Sequence, residues 1–180
     1  MRLKPDTGAT LIEILVVISV MAIMFAIGLP AISTQIANAE LHQGTREVVS
    51  VLRRVRAAAI NQQAPHYVKL ESNQLQVYRC VPNSDFTDCT WTAFENPVVL
   101  PNSVTINFSA SDFPELPDTP AGGSIQNVPQ GAVYFSPRGG YPSTGTPGEE
   151  YEINIDSVRN STSRTVTVVR ETGHIEIESP

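Results

Sequence analysis

Residues 9–29, ATLIEILVVISVMAIMFAIGL, place one ionisable group among twenty-one positions, and nothing else in this 180-residue chain limits its folding so tightly. As an α-helix rising about 1.5 Å per residue, the segment is roughly 30 Å long, which matches the hydrocarbon core of a bilayer. Its length alone predicts a membrane helix. The residues ahead of it, MRLKPDTG, contribute Arg2 and Lys4. The positive-inside tendency therefore keeps this end in the cytoplasm and exports the chain beyond Pro30. A secretory signal would carry its small-residue cleavage site after the apolar run. Here the processing point precedes the run, at Gly8.

Glu13 sits inside the apolar stretch. A carboxylate costs about 2.5 to 3.5 kcal/mol near the centre of a membrane helix and less near its end, so a compensating charge is expected. Cleavage after Gly8 would give Ala9 a free amine, a cation four residues before Glu13 and on the same helical face. That amine, or its copy on a neighbouring subunit, is the natural partner.

The string Gly8-Ala9-Thr10-Leu11-Ile12-Glu13 followed by an apolar run resembles the processing and methylation motif of type IV pilins and type II secretion pseudopilins. The resemblance implies a prepilin peptidase that cuts between Gly8 and Ala9 and methylates the new Ala9 amine, with Glu13 docking subunits together. It also implies other pilins or pseudopilins and an inner-membrane assembly platform as partners. The departure is Ala9, where the family usually carries phenylalanine. Gly28 and Pro30 also fit, because family members commonly hold a helix-weakening proline at this depth. Pro30 removes a backbone donor and kinks a helix. Alternatively, Gly28 and Pro30 mark the membrane exit.

Beyond the bilayer, Ile32, Ile36, Leu41, Val48, Leu52, Val55 and Ala59 recur at three-to-four-residue spacing, with Glu40, Arg46, Glu47, Arg53, Arg54 and Arg56 mostly on other faces. This predicts an amphipathic continuation of the helix to about Asn61, stopped by Pro65. From His66 the period becomes two. A hairpin is expected over residues 66–71 and 74–79 with Ser72 and Asn73 turning it. Further strands are expected at 97–100, 104–108, 132–135, 151–155, 165–170 and 174–177, the last two joined by a turn at Glu171-Thr172-Gly173. Residues 109–129 and 138–148, rich in Ser, Asp, Pro and Gly, read as exposed loops.

The expected fold is therefore α+β: a long N-terminal helix packed on a C-terminal antiparallel β-sheet domain. The divisions are a leader at 1–8, a membrane and assembly helix at 9–29, its amphipathic continuation at 30–63 and an exported, β-rich head at 64–180. Val133-Tyr134-Phe135-Ser136-Pro137-Arg138-Gly139-Gly140, then Thr165-Val166-Thr167-Val168-Val169 and Thr172-Gly173, are similar to the C-terminal domain shared by the GspH, FimT and FimU minor pilins and pseudopilins. That domain carries a Phe-x-Pro-x-Gly element and a terminal Thr-Gly turn. The resemblance implies a minor pilin or minor pseudopilin, anchored in the bacterial inner membrane with a periplasmic head and then built into a pilus or pseudopilus, near its tip, to help assembly begin. Residues 82–129 match no motif.

Two cysteines, Cys80 and Cys89, flank a short polar segment. Outside the cytosol such a pair reads as a disulfide, and without nearby histidines it makes a poor zinc site. From Ala64 onward six cations face fourteen carboxylates, a net charge of −8. A head so acidic repels phosphate backbones on average. Some FimT-type minor pilins capture DNA through a Gly-Arg-x-Arg element in the terminal hairpin. The corresponding residues here are Gly173-His174-Ile175-Glu176, with both arginine positions lost, so nucleic acid is not an expected partner. A third reading is a bitopic membrane protein that is never cleaved or polymerised. His42, His66 and His174 lie in no ligand or nucleophile motif, and Glu149, Glu150 and Glu152 read as a solvated approach to a strand. No catalytic residues, metal or cofactor are expected.

Overall fold

The computed structural model describes residues 10–82, 89–108, 131–140, 150–169 and 171–178, without the side chains of residues 27–31 and Cys89. Its contacts divide the chain into two compact units, Met1–Ile36 and Ala37–Pro180. One helix, α1 (Leu11–Gln62), runs through the boundary.

Within the second unit, α1 buries a single stripe: Ala37, Leu41, Thr45, Val48, Leu52, Val55 and Ala59, each at most 3% exposed. The three-to-four-residue spacing puts them one above another on the same side. Thr45 is accommodated on that stripe because its hydroxyl donates back to the Leu41 carbonyl at 2.8 Å. The helix ends in a Schellman arrangement. Ala64 N donates to Ala59 O and Gln63 N to Ile60 O, with Gln63 at φ 50° in the left-handed position usually filled by glycine. The Gln63 side chain adds a bond to Ile60 O at 2.7 Å, and Pro65 then forbids continuation.

Among the described residues nine strands follow: β1 (His66–Leu70), β2 (Gln74–Pro82), β3 (Cys89–Ala93), β4 (Val98–Val99), β5 (Val104–Phe108), β6 (Ala132–Phe135), β7 (Glu150–Ser157), β8 (Ser163–Val169) and β9 (Ile175–Glu178). They form two antiparallel sheets. The first has the order β3-β2-β1-β6, with β4 paired to the start of β2; the second has the order β5-β7-β8-β9. The β1–β2 hairpin pairs Leu70 with Leu75 and closes through Glu71 N to Gln74 O, so Ser72 and Asn73 form the turn as expected.

Both sheets turn their apolar faces to the same helical stripe. Val68, Leu70, Leu75, Val77, Val133 and Phe135 from the first sheet join Val104, Ile106, Tyr151, Ile153, Ile155, Val166, Val168 and Ile175 from the second in one core with α1. Strand β7 shows the cause plainly. Tyr151, Ile153, Ile155 and Ser157 are buried, while Glu150, Glu152 and Asn154 between them are exposed, the period-two signature of a sheet with one wet face. Gly44 lets the helix lie close to β5: a Cβ there would stand 2.9 Å from Val104 Cγ1. The tip of the β1–β2 turn reaches the second sheet, where Ile106 N donates to Ser72 O at 2.7 Å.

Several strand limits differ from expectation. Residues 97–100 contain only the two-residue β4, since Pro97 has no N–H to give a ladder. Strand β3, in a region without a recognisable motif, was not expected. Its Thr90-Trp91-Thr92 alternation of β-branched and aromatic residues is the signal that identifies it. Strands β7 and β8 are longer than the apolar pattern alone indicated, because the polar residues at their ends still pair. Asp156 lies opposite Ser163. The expected loop at 109–129, and the expected loop at 138–148 beyond Gly140, lie outside the described residues.

Candidate functional site

In the first unit, twelve large apolar side chains from Leu11 to Phe25 are 48–82% exposed. A soluble protein's largest apolar patch is a few hundred Å², and larger ones mark membrane or protein contacts. The apolar residues surround the helix on all sides. An apolar stripe would instead have left a polar face for water. Glu13 is the acidic residue of the first turn, and its backbone N–H donates to Thr10 O at 3.0 Å. That position places its carboxylate beside the positive end of the helix dipole. Ser19 turns its hydroxyl inward along the helix to Leu15 O at 2.8 Å, which masks the polar group from an apolar surrounding. Gly8 and Ala9 lie outside the described residues, as do the side chains at Gly28 and Pro30, through which the helix runs. Among the described residues no helix is long and apolar enough to cross a membrane. The described side chains of the apolar run stop at Ala26.

In the second unit, the two elements flagged by the distal resemblance meet. Ser136-Pro137-Arg138-Gly139 is a β-turn closed by Gly139 N to Ser136 O at 2.8 Å, with proline second and glycine last, as a type I turn favours. Gly173 lies in the β8–β9 turn, where its N–H donates to Val169 O at 2.7 Å. Both glycines have positive φ, 91° and 66°. They touch: a Cβ on Gly173 would lie 1.9 Å from Gly139 O and 3.0 Å from Arg56 Nε. The β6 turn of one sheet and the terminal hairpin of the other are thus pressed together over the helix at Arg56. Sequence reading named both glycine motifs but not their contact, which joins positions thirty-four residues apart.

Two of the arginines that the sequence places on other faces of the helix are engaged. Arg54 makes a paired contact with the Glu95 carboxylate, 2.7 Å at the shorter bond, and Arg53 Nη2 donates to Ile175 O at 3.4 Å. The Arg54–Glu95 pair is half exposed, so its contribution is within about 1 kcal/mol.

Cys80 is buried and disulfide-bonded. The β2–β3 register sets Pro82 opposite Cys89, and the Cys89 side chain lies outside the described set. Beside Cys80, Tyr67, Tyr78, Trp91 and Tyr134 form an aromatic cluster with centroid distances of 4.7–6.4 Å. This cluster escaped sequence reading because its members lie on four different strands.

The histidines are in three separate places. His42 Nε2 lies 3.3 Å from Arg164, His174 Nε2 lies 3.0 Å from a Glu176 carboxylate oxygen, and both are exposed. His66 is fully buried, edge-on to Phe94 and opposite Arg79 in the β1–β2 register. Its Nδ1–H donates to the Ala64 carbonyl at 2.9 Å, which leaves Nε2 as a buried acceptor without a partner among the described residues. Burial holds its pKa below the ordinary 6.5, and the Arg79 charge adds to this against the opposing Ala64 bond and Glu95. A depressed folded-state pKa means that the unfolded chain takes up the proton first as pH falls. The head should therefore keep full stability above about pH 6.5 and lose it progressively below. Denaturation midpoints at pH 7.5 and 5.0 test this, and His66→Gln should flatten the His66 share of the difference.

Among the described residues no three His, Cys, Asp or Glu side chains gather as a metal group. Glu150 and Glu152 lie on the exposed face of β7, and Glu149 is outside the described residues. The terminal hairpin presents His174 bonded to Glu176.

No protein-family model matches the sequence, and no curated protein matches it. Solved structures do. One structure of the minor pseudopilin EpsH from the type 2 secretion system of Vibrio cholerae superposes with a TM-score of 0.52 at 14% identity, covering 78% of this chain and 98% of that one. A second crystal structure of EpsH gives 0.50 at 15% identity, over 79% and 95%. The likeness is one of fold: this chain, whose described residues form a long helix and two antiparallel sheets, has the α+β, GspH-like minor pilin fold.

Proposed function

We propose that this chain is a minor pilin or minor pseudopilin: a subunit anchored by its apolar helix, cleaved between Gly8 and Ala9, methylated on Ala9, and assembled with other pilins into a type IV pilus or a type II secretion pseudopilus. The observation that carries the reading is the all-round apolar exposure of Leu11 to Phe25, interrupted by Glu13, in a chain whose head has the fold of a minor pseudopilin. With residues 27–29 counted, the run reaches the length that a bilayer core requires. Such a surface is stable in lipid before assembly and against neighbouring helices afterwards, so one segment serves as both anchor and filament core.

Glu13 supplies the assembly chemistry. In a low-dielectric surrounding an isolated carboxylate is costly, and a neighbour's terminal ammonium offsets that cost only in correct axial register. The pair therefore acts as a register pin. The head, with its acidic surface, faces outward at or near the tip and takes part in initiating assembly. The chain's partners in this reading are a prepilin peptidase, the other filament subunits and the inner-membrane assembly platform. Intact-mass measurement of the chain purified from its own membranes tests the processing step. A mature N-terminus at Ala9 carrying one added methyl is the expected result; a chain retaining Met1 would overturn the reading.

A further inference from the structure

Strand β9 ends the order β5-β7-β8-β9, so among the described strands it has no neighbour on its far side. Its pairing phase is set by Val169 N donating to His174 O at 2.8 Å. Hydrogen-bonded pairs alternate along an antiparallel ladder, so Thr167–Glu176 and Thr165–Glu178 are bonded while Val168–Ile175 and Val166–Ile177 are not. The N–H and C=O groups of Ile175 and Ile177 hence point away from β8, to the side where no described strand pairs with them. The Arg53 guanidinium reaches Ile175 O from that side at 3.4 Å, a long contact that an incoming amide would displace.

The side chains of β9 alternate in character. Ile175 is buried, but Ile177 on the same, core-directed face is 38% exposed. Glu176 and Glu178 are exposed on the opposite face, one of them bonded to His174. Edges that proteins keep solitary are short or carry charges, above all lysine, or proline or a bulge. This one is short and carries two glutamates, but no lysine, proline or bulge, and it leaves an isoleucine incompletely covered. Its two carboxylates repel a second copy of β9 and favour a strand of opposite charge.

We infer that β9 is a strand-addition site for an extended segment of a neighbouring protein in which basic residues alternate with apolar ones. The segment's apolar side chains cover Ile177 and extend the core, while its lysines or arginines face Glu176 and Glu178. Its backbone takes up the amide and carbonyl groups of Ile175 and Ile177. The inference rests on the filament reading only for where such a neighbour is met; the binding chemistry needs neither processing nor assembly.

The test uses the full chain in a zwitterionic detergent and a fluorescent octapeptide of alternating lysine and valine, with alternating glutamate and valine as control. Saturable binding of the lysine peptide alone is expected, with amide exchange at Ile175 and Ile177 slowed about tenfold or more when it is bound. Ile177→Pro removes one edge donor without breaking a bond to β8 and should weaken binding about tenfold more than Ile177→Ala, which loses the same partly covered side chain but keeps the N–H. Glu176→Lys with Glu178→Lys should transfer preference to the glutamate peptide. Unchanged exchange at Ile175 and Ile177 on saturation would overturn the inference, because charge attraction without strand pairing leaves those amides exposed. Equal binding of both peptides would overturn it too.

Discussion

Gly173→Ala should destabilise the head by about 3 kcal/mol or more, a fall of about 10 °C in its melting midpoint. Two costs combine. At φ 66° an alanine pays about 1 kcal/mol or more that glycine does not. Its Cβ would also stand 1.9 Å from Gly139 O and 3.0 Å from Gly139 C, and both obstacles are backbone. To relieve the clash the β6 turn must part from the terminal hairpin, which uncouples the two sheets at this end. Gly139→Ala offers a graded comparison. Its φ of 91° is equally unsuited to a side chain, but its nearest obstacle is the Ile60 Cδ1 methyl at 2.9 Å, which can swing aside. A loss of about 1–2 kcal/mol is expected there. Denaturant titration of the full chain in detergent reads both. Equal stability of Gly173→Ala and the parent would mean that the two turns do not touch.

That contact explains why a Phe-x-Pro-x-Gly element and a Thr-Gly turn accompany one another in this chain. Phe135 anchors the first in the core, Pro137 sets its turn, and the two glycines permit the approach. The elements themselves were legible in the sequence, because turn chemistry and hydrophobic period are local. Residues 66–79, 104–108 and 151–155 alternate and 132–135 is a short, wholly buried apolar run, and all form strands close to the expected limits. What local pattern could not supply was partnership. Neither the alternation of β5 nor the apolar run of β6 names a partner, yet one pairs with β7 and the other with β1. Only the path of the chain decides which, and that is why two sheets stand where the sequence indicated a sheet domain without its division. His66 was hidden for a related reason. A histidine beginning a strand reads as a surface residue until Phe94 and Phe135, from distant segments, close over it.

The first unit is legible in another way. Its apolar run and Glu13 were visible at once, because one charge in twenty-one largely apolar positions is anomalous by composition alone. In the proposed filament, Glu13→Val removes the carboxylate without removing apolar surface. Membrane insertion should be unchanged or improved, since an expensive group near the helix start is replaced by a favourable one. Incorporation should nevertheless fall about tenfold or more. A neighbour's terminal ammonium, then buried without its counter-charge, costs several kcal/mol, and about 1.4 kcal/mol already corresponds to a factor of ten. Glu13→Asp keeps the charge but shortens its reach, and should recover part of the loss.

The decisive measurement is the amount of Glu13→Val chain in sheared filaments relative to the amount in membranes, with unaltered chain alongside. The account predicts an undiminished membrane pool and a filament fraction at or below about a tenth of the parent's. Equal filament fractions for the two chains would contradict it, because a subunit that assembles equally well without the carboxylate does not use it to set its place.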